Sequence, residues 1–500
     1  MLITNSIAAD LVVLAVTLVA VLATWHLWAL YYWQRKGVPT PPTYPLLGTF
    51  KDFIVGDKSL GQVVQEAYLD YKKQGKRYFG VSFAGQPQFV PVDLALIKAV
   101  YVADFPHFHS HGTYSDAAND PLSVHIFNVD GPKWRDVRSK LSPTFTSGKM
   151  KTMHETLLKC SEGLTGALER LDDPIEIKEI MARFTTDVIG SCAFGLDINS
   201  LENPDAEFRR FGAKIFEKSF RNIANFFLGI AVPHSILSFC GYSVTRRDVQ
   251  RFFYGSLAST VAYRETNAVV RKDFLDFLVR LKNHEDAQER MSMDEIAAQC
   301  FMFFVAGFET SATTMNFACF ELARHQDVQD KARTEIRRVL EKHDGKLTYD
   351  AVMEMTYLDM IIQESLRKYP PLPINIRKCT KTFKVPGESL EIKEGTFVMI
   401  PVWGIHYDPE YYPDPEVFDP ERFSDENKRS RPAFSHLPFG EGPRICIGMR
   451  FGMHQTKIGL ITLLNNYRIK LNSKTITPLK YDKILFTSNI GGIWLDLEKV

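Results

Sequence analysis

The chain has 500 residues, 45% hydrophobic and 24% charged, which excludes a disordered or low-complexity protein and allows a large core. Sixty Lys and Arg against fifty-nine Asp and Glu leave a net charge of +1, so no global field recruits nucleic acid. Seven scattered cysteines, without a Cys-x-x-Cys pair, exclude a disulfide framework and fit a reducing compartment.

From Leu11 to Trp33 there is no Asp, Glu, Lys or Arg. As a helix this stretch spans about 34 Å, enough for the ~30 Å hydrocarbon layer of a bilayer. Trp25, Trp28, Tyr31, Tyr32 and Trp33 crowd its C-terminal end, and Arg35 and Lys36 follow. That flank predicts an uncleaved anchor whose downstream chain stays in the cytosol. Met1 to Asp10 carries no Lys or Arg, against a cleaved signal. The expected organisation is an anchor at 1–34 (span about 8–33), a proline-rich linker at 35–47 and one large domain at 48–500. A hairpin is expected from Tyr78 to Val92, turning at Ala84-Gly85-Gln86-Pro87. Helices are expected over 131–142, 149–170, 174–195, 245–283, 293–325, 327–342, 357–369 and 449–466. Short sheets are expected between Phe383 and Pro401 and beyond Tyr467, giving a mainly α fold with small β-sheets.

Several segments carry chemistry. His107, His109 and His111 alternate, which puts three imidazoles on one side of an extended chain, though no fourth metal ligand is spaced nearby. Trp134 and Arg138 stand at i,i+4 after the helix start Gly131-Pro132. Ala306-Gly307-Phe308-Glu309-Thr310-Ser311 interrupts an apolar helix with a glycine that costs about 1 kcal/mol relative to alanine. Ala306, Phe303 and Met302 share the face of Thr310, and with Phe301, Phe304 and Phe308 are expected to line an apolar substrate cavity. Glu364 and Arg367 sit at i,i+3, and Arg422 lies in Pro420-Glu421-Arg422-Phe423.

Phe439-Gly440-Glu441-Gly442-Pro443-Arg444-Ile445-Cys446-Ile447-Gly448 is the most informative segment. Gly442 and Gly448 allow positive φ and close approach of the backbone to a flat ligand. Cys446 can present a thiolate to that ligand, and Arg444 can reach a carboxylate on it.

The pattern Phe-x-x-Gly-x-Arg-x-Cys-x-Gly resembles the haem-binding loop of the cytochrome P-450 superfamily, and the likeness extends over essentially the whole chain. The run Leu141 to Lys149 and the membrane anchor are most similar to insect microsomal family 6 members. The resemblance implies the P-450 fold, with haem b (iron protoporphyrin IX) between a long central helix and the cysteine loop. It implies Cys446 as axial iron ligand and Trp134, Arg138, Arg377 and Arg444 as propionate partners. Thr310 and Glu309 would manage protons, while Glu364, Arg367 and Arg422 would form a buried structural network. At the position of the histidine loop relatives often carry arginine, and this chain departs from them.

The implied activity is a microsomal monooxygenase of the endoplasmic reticulum membrane, acting on small apolar substrates with O2 and electrons from NADPH. Those electrons would arrive through cytochrome P-450 reductase, with cytochrome b5 as an optional second donor. Xenobiotic detoxification is the leading role, with oxidation of an endogenous hormone or lipid as the alternative. A haem-thiolate isomerase or dehydratase, a non-catalytic haem sensor or carrier, and a membrane scaffold without haem are the remaining rivals. Lys133, Arg135, Lys140, Arg450 and Lys457 are expected to form one basic patch on the thiolate side, facing an acidic reductase.

Overall fold

A computed structural model describes residues 7–500 except 218 and 272. The first element is an apolar helix, Ile7–Leu30, of which Ala8–Leu30 is long and apolar enough to cross a membrane. Its end does not swing free of the rest. Ala29, Leu30 and Trp33 are buried, and Trp33 lies directly against Gly80, where any Cβ would collide with the indole. The Gly80 N–H donates to the Pro39 carbonyl (2.8 Å), so the proline-rich segment is laid on the sheet as well.

The hairpin forms as strands Tyr78–Phe83 and Gln86–Pro91. Its turn is shorter than expected, only Ala84 and Gly85, both with positive φ (52° and 71°), the twist that matches paired strands. Phe397–Ile400 joins it in parallel and Asn375–Lys378 closes this four-stranded sheet antiparallel. Ile175–Glu176, Trp494–Lys499 and Tyr467–Leu471 make a second sheet, and Phe383–Lys384 pairs with Glu391–Ile392.

The remainder is mainly helical. Met293–Arg324 runs through the centre, opened by a capping box between Ser292 and Glu295. Ile177–Ile189 packs along it, and Met449–Asn466 crosses below. Two sequence expectations fail. The helix expected over 245–283 is two, Arg247–Thr266 and Phe274–Lys282. Between them Ala268 adopts positive φ, and Asp273 caps the second helix by accepting from the Asp276 N–H (2.8 Å) while pairing with buried Arg264 (2.5 Å). Helices at Leu60–Lys73, Glu207–Phe216, Phe220–Ala231 and His234–Phe239 also stand where none was expected.

Glu364 and Arg367 are both fully inaccessible and form a two-armed ion pair (2.7 and 2.8 Å). Arg367 also donates to the carbonyls of His406 and Pro415, and Glu364 accepts from the Asp419 N–H. Arg422 approaches Glu364 at 3.5 Å from the third side. Three segments distant in sequence are thereby tied together. His406 extends the tie: Nδ1 donates to the Arg367 carbonyl and Nε2 accepts from the Leu437 N–H (2.8 Å), at the entry to the cysteine loop. Arg367→Leu leaves Glu364 buried without its main partner, an expected loss of about 3–5 kcal/mol. Arg422→Leu, which removes the longer contact, is expected to cost less. Urea midpoints of the two detergent-solubilised full-length variants check the order.

Candidate active site

A cavity of about 280 Å³ opens between the central helix and the cysteine loop. The helix contributes a stripe of positions three and four apart, Gln299, Phe303, Ala306 and Thr310, flanked by Met302 and Gly307. At 100° per residue Phe301, Phe304 and Phe308 fall on the opposite side. They are therefore not cavity residues as expected but pack into a buried aromatic cluster with Phe194, Phe208 and Phe253.

The cysteine loop is shaped by its own hydrogen bonds. The Cys446 N–H donates to the Phe439 carbonyl (3.0 Å), and the Ile445 N–H to Gly442 (3.0 Å). Gly442 has φ +72°, and a Cβ there would run into the Tyr101 carbonyl oxygen. Its purpose is thus packing against the chain behind the loop, not contact with a ligand. Gly448 has an ordinary φ of −88° and caps the Met449–Asn466 helix. A Cβ on it would meet only Phe145, at 4.0 Å, so this glycine is the one that keeps space beside the sulfur. Cys446 opens onto the cavity, and the protein packed around it desolvates the thiolate and pushes the thiol up from its usual range, while the Gly448 N–H and the Arg138 charge favour the thiolate.

Phe439, Arg444, Cys446, Gly448, Trp134, Arg138 and Arg377 all line the cavity. Arg138 donates to the Ile445 carbonyl (3.0 Å) and holds the loop next to the cysteine. Arg377 is buried, stacks on Tyr101 (5.1 Å) and spends one N–H on its neighbour's carbonyl, while its Nε has no partner. Arg444 lies 4.5 Å over Trp134 and pairs with Asp130 (2.8 Å), a counter-ion the motif reading missed although it directly precedes the helix start. Burial pushes Arg377 down, and Arg444 down to about 10. Cavity-lining guanidinium groups with unspent donors, opposite a lone sulfur, fit a planar group with carboxylates at its edge and a metal that takes a thiolate.

Thr310 reaches the wall, but its hydroxyl donates back to the Ala306 carbonyl (2.7 Å), the unremarkable habit of a helical threonine. Gln455 donates to the Gly307 carbonyl (3.2 Å) and Thr185 to Phe308 (2.9 Å). Three successive carbonyls thus receive side-chain donors where the helix passes the cavity. Gly307 admits Ile189, whose Cδ1 would lie 2.5 Å from any added Cβ. Glu309 is turned away from the wall and pairs with Lys178 (2.7 Å), so the structure does not bring it together with the Thr310 hydroxyl.

The loop histidines part from one another, and the expected basic patch needs correction. The histidines do not converge: His107 bonds the Lys381 carbonyl and His111 sits on the cavity wall, and no metal-holding group occurs among the described residues. Lys140 and Lys457 are buried, paired with Asp136 (3.0 Å) and Asp359 (2.7 Å), and cannot belong to a surface patch. Only Lys133, Arg135 and Arg450 of that set are exposed. Cys446→Ala is expected to abolish the red-shifted Soret band of the reduced, carbon monoxide-treated protein, and Cys319→Ala, in the core, to keep it. A difference spectrum of each variant decides.

A family model for cytochrome P450 matches residues 38–494. Cytochrome P450 6a2 of Drosophila melanogaster is 40% identical, over 94% of this chain and 95% of its own. Cytochrome P450 6a8 of the same fly is 39% identical, over 97% and 98%. Probable cytochrome P450 6a20 is 41% identical, over 94% and 95%. With a cavity wall that carries the signature cysteine and the arginines around it, the chain belongs to the cytochrome P450 family and is a monooxygenase of that family.

Proposed function

We propose that this monooxygenase oxidises small apolar foreign compounds at the endoplasmic reticulum, its domain at 48–500 facing the cytosol and residues 1–34 anchoring it. Electrons would come from NADPH through a membrane-bound flavoprotein reductase, with cytochrome b5 as a second donor. The observation that carries the catalytic part is Cys446 on the cavity wall facing the Thr310 stripe. When bound there, haem supplies the iron that activates O2, and the thiolate ligand favours O–O cleavage. In this reading the Cys446 sulfur would bind that iron. Arg138, Arg377, Arg444 and the Trp134 indole N–H hold the cofactor's carboxylates.

Met302, Phe303 and Ala306 give the cavity its apolar wall. Phe303 is braced by Phe274, Phe145 and Phe451 at 4.7–5.5 Å, so its ring is a fixed surface rather than a mobile lid. Apolar walls select by shape and exclude water, which suits foreign compounds of varied structure. A steroid-like or fatty ligand would satisfy the same wall. A reconstituted turnover panel of plant toxins, insecticides and endogenous terpenoids discriminates: exclusive turnover of one endogenous compound would overturn the detoxifying role.

The Thr310 hydroxyl keeps two lone pairs while its hydrogen is on the Ala306 carbonyl. On rotation it can pass a proton from Oγ1 into the cavity. Glu309, locked to Lys178, would serve only after that pair opens. Thr310→Ala is therefore expected to retain haem and substrate binding but to lower product formed per NADPH by roughly tenfold. That is less than a directly transferring acid is worth, since water can take the place of the hydroxyl. Lys178→Met, which frees Glu309, is expected to leave this ratio unchanged or raise it. Product, NADPH and peroxide measured together check both.

With Lys140 and Lys457 removed from the docking surface, Lys133, Arg135 and Arg450 are the candidates that remain. Charge reversal of Lys133 and Arg450 is expected to slow reduction by the reductase several-fold at low salt and less at high salt, with the haem spectrum unchanged. Stopped-flow reduction checks it.

A further inference from the structure

Gln299 stands in an otherwise apolar stretch of the central helix, lines the cavity and is 2% exposed. A buried amide is costly unless its two ends are bonded. Its Oε1 accepts from the Ile126 N–H (2.9 Å), and its Nε2 donates to the Val124 carbonyl (3.2 Å). A backbone N–H only donates and a carbonyl only accepts, so the orientation of the amide is fixed. Its polar head is thereby turned to the chain, and the carbon stem is what faces a substrate.

The segment it holds has no sheet or long helix of its own. After the single turn Pro121–Ser123 it runs to Ile126 and Phe127 on the cavity wall. Just upstream, Asp120 is fully buried and accepts from the Thr245 N–H (2.9 Å) and the Gln250 side chain (2.8 Å). That end is therefore tied to the entry of the helix Arg247–Thr266. Arg444 donates to the carbonyls of Ile126 (3.4 Å) and Phe127 (3.2 Å). Ile126 is thus held at its N–H by the central helix and at its carbonyl by the cysteine loop, and it lines the cavity between them.

We propose that Gln299 is a positioning residue that acts on substrate through Ile126: its two bonds set how far Ile126 stands from Phe303 and Ala306, and so how bulky an apolar group the cavity admits. Phe303 is a braced surface, so the width of the cavity at this level is decided on the Ile126 side. Without the Gln299 amide the segment stays tied at Asp120 and Arg444 but is released from the central helix. The cavity then widens at Ile126, and discrimination by size weakens. The inference deepens the reading of an apolar, shape-selecting wall and rests on it.

The test uses the full-length, haem-loaded protein in detergent, with N-phenylimidazole and N-biphenylylimidazole as probes. Their free ring nitrogen binds haem iron and shifts the Soret band, so no substrate has to be known. Gln299→Met keeps the length of the side chain and makes neither bond. It is expected to move the ratio of the two dissociation constants roughly tenfold toward the bulkier probe, the scale of one or two neutral hydrogen bonds. Ile126→Ala clears the same space and is expected to do likewise, and the double variant to do no more than the larger single change. An unchanged ratio in Gln299→Met, or additive shifts in the double variant, would overturn the proposal. Where Gln299→Met fails to load haem, amide exchange in the wild type decides. The Ile126 N–H is expected to exchange at least about tenfold more slowly than in an unstructured peptide, and an unprotected amide overturns the proposal. A wild type without any Soret shift would overturn the haem reading and this inference with it. Exclusive turnover of one endogenous compound would overturn the detoxifying role and leave the probe ratio as it stands.

Discussion

Three guanidinium groups, Arg138, Arg377 and Arg444, are packed around one cavity, and among them only Arg444 has a carboxylate, Asp130. Burying charge without a partner is costly in a low-dielectric interior, and the downward pull on all three arginines is the mark of that cost. The surrounding fold has to hold these cations in place until an anionic ligand offsets them. Stability of the domain and occupancy of the cavity are therefore linked, because whatever binds the folded state and not the unfolded one stabilises it.

The scaffold meets that demand from outside the cavity. The fully buried Glu364–Arg367 pair ties its helix to the carbonyls of His406 and Pro415, and His406 in turn holds the Leu437 N–H. The loop that carries Cys446 is thus anchored at its entry by a network remote from the sulfur. At its exit it is anchored by the helix that Gly448 caps. On the facing side, Gly307 lets Ile189 approach closely, which sets how near the central helix comes to its neighbour and so where the stripe through Thr310 lies. A pair that contributes little at a surface is here the strut that fixes the position of the loop carrying Cys446.

The apolar helix is joined to this scaffold by packing at its C-terminal end. Trp33 on Gly80 and Pro39 on the same strand leave little freedom between the apolar helix and the first sheet. The proline-rich stretch touches the sheet through buried Val38 and the Pro39 carbonyl, while most of its other side chains stay exposed.

Much of the site was legible because its chemistry is local. Glycines punctuate a short loop around Cys446, a 3.6-residue period marks the helix through Thr310, and i,i+3 spacing pairs Glu364 with Arg367; these depend only on near neighbours. The apolar run at the N-terminus was legible for the same reason. Tertiary structure decided what depends on residues far apart. The helical period puts Phe301, Phe304 and Phe308 opposite Thr310, but that they meet Phe194, Phe208 and Phe253 there is a tertiary matter. Lys140 and Lys457 are buried because Gln288 and Asp359, distant in sequence, receive them. Gly442 answers to Tyr101, and Glu309 to Lys178 rather than to the cavity. The break after Thr266 depends on Arg264 meeting Asp273, and the short amphipathic helices between 207 and 239 carry too few turns for their period to stand out. His111 is the sharpest case: by sequence it is one of three alternating histidines, and only the folded chain sets it on the cavity wall beside Arg377 and Arg444, since an electrostatic environment is summed over space and not along the chain.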